Sequence, residues 1–119
     1  MNREIKFRGL LKDGKGWVYG GFVKGKSGRS YIFKGSDDEY LEDDINVVIS
    51  ETVGQYTGLK NKRGREIYEG DIVMYSDKST PLVVGFENGS FVLKKDGKTY
   101  VYNINPKELE VIGNIHKNK

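Results

Sequence analysis

The chain has 119 residues, 36% of them apolar and 31% charged, with 8 Tyr, 5 Phe and 1 Trp but no Cys. That length suits one domain or two very small subdomains sharing a core, the aromatic content separates it from a disordered polymer, and the lack of Cys excludes a disulfide framework or a thiolate metal site. The net charge of +3 hides an uneven balance, because positions 37–44 hold six of the 17 carboxylates and leave 20 basic residues against 11 acidic ones, or +9, in the rest of the chain.

In chain order, Ile5-Lys6-Phe7-Arg8 alternates apolar and basic residues and predicts a half-buried strand with Ile5 and Phe7 inward. Asp13-Gly14-Lys15-Gly16 predicts a turn into Trp17-Val18-Tyr19. A further pass runs through Gly20-Gly21-Phe22-Val23, a loop over 24–28, and Tyr31-Ile32-Phe33. Ser36 and Glu39 have the spacing of a capping box, which makes 36–44 either a short helix or a solvated acidic loop. Val47-Val48-Ile49 reads as a buried strand.

The second half has stronger punctuation. Ile72–Tyr75, Leu82–Phe86, Phe91–Leu93 and Thr99–Tyr102 are strand-like, and Asn88-Gly89 and Asp96-Gly97 are hairpin turn pairs whose residues accept positive φ. Asn105-Pro106-Lys107-Glu108 has an Asn cap and a Pro at the first helical position, enough for one helical turn before Leu109–Ile112. The predicted fold is mostly β, with short antiparallel strands and hairpins and at most one or two short helical turns. A small SH3-like barrel is expected over Arg65–Ile115. The chain is read as a single domain, 1–119, which would divide if at all into an N-terminal β subdomain, 1–50, and a barrel subdomain, 51–119.

Catalytic chemistry is not visible. His116 is the sole histidine, so neither a His-based triad nor a multi-His metal site can be assembled in one chain. The acidic run lacks the alternation of a calcium loop, and Gly54, Gly58, Gly64 and Gly70 match neither phosphate-binding fingerprint. No enzyme, cofactor or metal is therefore expected. No apolar run approaches the roughly 20 residues of a membrane span, and the charged start has no apolar stretch behind it, so a cytoplasmic protein without a membrane partner is expected.

The candidate binding feature is the basic loop Lys60-Asn61-Lys62-Arg63-Gly64-Arg65, flanked by Tyr56 and Tyr68. Cations beside rings are what a nucleic-acid backbone and its bases require. Arg3, Lys6 and Arg8, alternating with Ile5 and Phe7, add to that reading. The competing reading makes the rings core and the cations solvated, with Gly58, Gly64, Gly70 and Asp71 as structural turn and corner residues. On it, Ile67 points inward, Asp71 bonds nearby backbone amides, and Ile72 and Met74 enter the barrel.

The stretch Glu51–Val73 (ETVGQYTGLKNKRGREIYEGDIV), the start Arg3–Gly9 (REIKFRG) and the end Val111–His116 (VIGNIH) together resemble the YopX family of phage and prophage proteins. The resemblance implies a temperate phage or a prophage of a Gram-positive host as source, a mostly β fold and self-association. It brings no established activity and hence no catalytic residues, and 24–46 matches no family pattern, which leaves the acidic run without family support. Two functions are therefore expected in turn. The first is a non-enzymatic binding or assembly module, with an unknown host or phage protein or a second copy as partner; the alternative is nucleic-acid binding through Lys60–Arg65.

Overall fold

The computed structural model describes residues 5–34, 45–75 and 80–116, and the acidic run with its candidate helix lies outside them. The chain divides into two compact units, Met1–Tyr56 and Thr57–Lys119.

The first unit contains β1 (Phe7–Leu10), β2 (Trp17–Lys24), β3 (Ser30–Phe33), β4 (Ile45–Val48), a 3-10 turn at Ser50–Thr52 and the start of β5 (Gly54–Lys60). The strands pair antiparallel in the order β4-β3-β2-β1-β5. Val18, Ile32 and Val48 form its core, with Phe7, Leu11, Phe22 and Val53 packed around them. The two predicted passes 17–19 and 20–23 are one continuous strand, β2. Two glycines let neighbouring groups come close: a Cβ on Gly20 would lie 1.8 Å from the Phe33 carbonyl oxygen, and one on Gly9 would lie 2.9 Å from Val48 Cβ.

The first predicted strand is shifted and its faces differ from expectation. Ile5 is 70% exposed, whereas Arg8 is only 5% exposed. Trp17 contributes to this: its ring lies 4.6 Å from the Arg8 guanidinium carbon and covers the charge with its negative face.

The second unit continues β5 beside β6 (Glu66–Tyr68), then adds β7 (Asp71–Tyr75), β8 (Leu82–Glu87), β9 (Ser90–Lys95), β10 (Lys98–Val101), a 3-10 turn at Pro106–Glu108 and β11 (Leu109–Asn114). The last five strands form a sheet in the order β10-β9-β8-β7-β11. Asn88 and Gly89 (φ 52° and 83°) and Asp96 and Gly97 (φ 53° and 79°) make its tight turns, as their sequence predicts. Asn105 caps the 3-10 turn by accepting a hydrogen bond from the Lys107 amide. Ile67, Val73, Leu82, Val84, Leu93 and Leu109 form the core.

Two expectations change here. The sheet does not close into a barrel, because β10 and β11 remain its two edges among the described residues. In β7 it is Val73, fully buried, that enters the core, while Ile72 and Met74 are half-buried. Asp71 explains this phase: side chains alternate along a strand, so burying Asp71 at the corner turns Val73 to the same side.

Candidate functional site

The basic loop is a tight turn built by Asn61. Asn61 is 6% exposed, and its Oδ1 accepts hydrogen bonds from the Arg63 amide at 2.9 Å and the Arg65 amide at 3.1 Å. The backbone closes the same turn, with the Asn61 amide donating to Arg65 O and the Gly64 amide donating to Asn61 O, both at 2.9 Å. An Asn that folds back on following amides is a recognised turn former. That signal lay in the sequence at Asn61, which sequence reasoning left out of the site.

This turn projects Lys60, Lys62, Arg63 and Arg65, all exposed. Arg63 lies 3.7 Å from Glu110 with its side chain 73% exposed, so the contact is a loose surface pair worth about 0–1 kcal/mol. Four cations within six residues make a positive projection that a polyanion could meet.

The rings do not join them on the surface. Tyr56 and Tyr68 are 4% and 3% exposed. Tyr68 donates its hydroxyl hydrogen to Glu66 Oε1 at 2.9 Å, and the Lys6 ammonium sits 5.3 Å from the centre of the Tyr56 ring. Neither ring face is placed to stack on a base. Of the supporting N-terminal cations, Arg8 is buried against Trp17 and Lys6 is engaged with Tyr56; Arg3 lies outside the described residues.

The remaining motif residues organise backbone. Gly58, Gly64 and Gly70 have φ of 86°, 82° and 93°, a region that L side chains rarely enter. Asp71, 1% exposed, accepts a hydrogen bond from the Tyr68 amide at 2.8 Å. Its neighbour Gly70 donates to Val84 O at 2.9 Å and accepts from the Ile115 amide at 3.0 Å. The corner is thereby tied to β8 and to the segment after β11. Thr57, another residue that sequence reasoning passed over, donates its hydroxyl hydrogen to Ile67 O and accepts from the Leu59 amide.

The five-stranded sheet offers a second feature. Its edge strands each carry one extra residue: Thr99 and Val101 oppose the consecutive Lys94 and Leu93, leaving Tyr100 over, and Val111 and Gly113 oppose Val73 and Ile72, leaving Ile112 over. Both are β-bulges, which break the ladder and re-aim a side chain. Tyr100 is 61% exposed and Ile112 51%, and Tyr102 and Ile115 beyond the strand ends are exposed too.

Among the described residues, no group of three or more His, Cys, Asp or Glu is disposed to hold a metal ion. No helix there is long and apolar enough to cross a membrane.

Comparison with known proteins gives a family and a fold. A family model described as YopX protein matches residues 6–119. The solved structure described as protein EF1440 from Enterococcus faecalis is similar with a TM-score of 0.56 at 22% identity, over 97% of this chain and 95% of that one. At that identity the likeness speaks for the fold alone. No curated protein matches the chain.

Proposed function

From the premise that the chain belongs to the YopX family, we propose that it is a non-enzymatic binding or assembly module of a phage or prophage, acting in the cytoplasm of a bacterial host. The observation that carries this reading is the pair of bulged sheet edges, each presenting a large apolar side chain, Tyr100 on β10 and Ile112 on β11. Bulges blunt an edge against indiscriminate strand addition, so these edges are suited to side-chain recognition instead. Tyr is favoured for that purpose, since its ring supplies contact area and its hydroxyl a hydrogen bond. The partner is a second copy or a host or phage protein. We further propose that the run of meander, 3-10 turn and closing strand follows the strand order of an SH3-like domain, although the sheet stays open.

Light scattering on the size-fractionated protein tests self-association, and crosslinking in infected cells tests a foreign partner. Both are repeated with Tyr100→Ser and Ile112→Ser. The reading requires that at least one complex is lost in a variant that still folds; a strict monomer with no partner lost in either variant overturns it.

A second reading, nucleic-acid binding by the basic turn, is favoured by the four exposed cations that Asn61 holds on one turn. With its flanking rings Tyr56 and Tyr68 buried, it would be backbone binding of low sequence preference. Fluorescence anisotropy with single- and double-stranded oligonucleotides would show affinity falling steeply with salt, and Lys62→Gln combined with Arg63→Gln would remove most of it.

A further inference from the structure

A polar cavity of about 260 Å³ opens in the first unit, at the end of the β3–β4 pair where Ser30 opposes Val48. Its lining includes Lys12, Arg29 and the three serines Ser27, Ser30 and Ser50, and no Asp or Glu. Among the described residues, no carboxylate pairs with Lys12 or Arg29.

The backbone around the cavity is held in place. The Lys12 amide donates to Val47 O at 3.2 Å, and the Gly25 and Gly28 amides close the β2–β3 turn on Arg29 O and Gly25 O at 2.8 and 3.0 Å. Ser50 opens the 3-10 turn that follows β4. Ser30 is 1% exposed, and its Oγ lies 2.8 Å from Ser50 Oγ. A bonded pair of hydroxyls uses only one of its two protons, so one O–H is left to donate, and Ser27 supplies another. A Cβ placed on Gly28 would meet nothing within 4 Å, which leaves the mouth open.

We propose that this cavity is a binding site for a phosphate monoester group. Two cations match the near-dianionic charge of such a group at neutral pH, the guanidinium fork and the hydroxyls match its terminal oxygens, and fixed backbone around them lowers the cost of ordering the site. A cavity of 260 Å³ lies below the roughly 300–1,000 Å³ that encloses a drug-sized ligand. It therefore takes a phosphoryl group end-on, with the rest of the ligand outside. The same group is carried by small phosphate esters and by the 5′ end of a nucleic acid.

The test is a two-dimensional amide NMR titration with inorganic phosphate at constant ionic strength. Saturable shifts are expected at Ser27–Ser30 and around Ser50. Lys12→Gln and Arg29→Gln should each weaken binding about tenfold, the scale of one charge-assisted hydrogen bond. Ser27→Asp, which adds a like charge at the mouth, should abolish it, while Lys95→Gln, at an exposed position of β9, should leave it unchanged. Lys12, Ser27 and Arg29 are exposed, so all three variants should fold, and their melting curves verify that. Shifts that stay linear, that centre on Lys60–Arg65, or that survive Arg29→Gln undiminished overturn the proposal. Competition then separates the two sources. Ribose 5-phosphate as potent as a 5′-phosphorylated oligonucleotide identifies a small ester, and a phosphorylated oligonucleotide much stronger than both ribose 5-phosphate and its 5′-hydroxyl counterpart identifies a nucleic-acid end.

Discussion

The two units build antiparallel sheet by different means. In the second, six fully or nearly buried aliphatic side chains make the core, and turns with positive-φ pairs set the register. In the first, three buried aliphatics suffice because the backbone itself comes close at Gly9 and Gly20, and a hydroxyl secures the first strand: Thr52 Oγ1 accepts from the Leu10 amide at 2.9 Å while donating to Ile49 O at 2.6 Å. The second unit is thus held mainly by what its side chains fill. The first depends as much on where side chains are missing.

The largest effects should come from matched core truncations. Leu93→Ala and Ile32→Ala each delete a fully buried side chain, for which about 2–5 kcal/mol is expected. Chemical denaturation measures the sum, and amide exchange locates the loss. The comparison predicts that the exchange protection lost by each variant lies chiefly in its own unit; equal loss throughout would mean that the two cores are one cooperative body.

Adjacent glycines give the next test. Gly20→Ala drives a methyl into the Phe33 carbonyl and should cost about 1–3 kcal/mol as the β2–β3 ladder opens. Gly21→Ala meets nothing within 4 Å and should be near neutral or slightly stabilising. If both behave alike in thermal melts, close backbone approach is not what shapes the first unit.

Removing the polar staples should come third. Asp71→Ala orphans the buried Tyr68 amide, and Thr52→Val orphans the part-buried Leu10 amide. The cost should be about 1–3 kcal/mol, with Asp71 at the upper end because its hydrogen bond is buried and that of Thr52 only part-buried. A Thr52 effect exceeding that of Asp71 would make the first unit the one more dependent on polar ties.

How much of this could be read from the sequence follows the same division. Strands β8 to β10, their two turns and the capped 3-10 turn were legible because local residues dictate them: only Asn-Gly and Asp-Gly type pairs suit such turns, and strand alternation needs no distant partner. The phase of β7 was misread because it depends on Asp71 being buried, a fact set by the Tyr68 amide. Arg8 was misread for a similar reason, since alternation marks a cation as outward and the Trp17 ring that covers it is brought near only by the register of β1 on β2. At the basic turn the cations were legible and the buried state of Tyr56 and Tyr68 was not, because a ring's exposure is a tertiary property. The polar cavity was missed altogether. Its residues come from 12, 27–30 and 48–50, three segments that only the sheet brings together.

The smallest effect sharpens the contrast at the surface. Glu87, Lys94 and Thr99 come from three neighbouring strands of the second unit, with Thr99 Oγ1 donating to Glu87 Oε1 at 2.6 Å and Lys94 Nζ lying 3.2 Å from Oε2. The Thr99 hydrogen bond, followed by the hydrogen bond and charge of Lys94, holds the Glu87 carboxyl below its ordinary range. A carboxylate whose native pKa is depressed binds a proton less readily than in the unfolded chain, so its stabilisation is present above the unfolded value, about 4.3, and is lost as pH falls through the lower native value. The Ser30–Ser50 hydroxyl pair of the first unit has no titratable member and gives no such dependence. Thr99→Val should therefore raise the Glu87 pKa toward the ordinary range and flatten the acid limb of stability, and Lys94→Gln should do so to a lesser degree. Side-chain carboxyl NMR titration reads the shift directly. If Glu87 titrates at the same pH in Thr99→Val as in the parent protein, the hydroxyl is not the group that holds the charge.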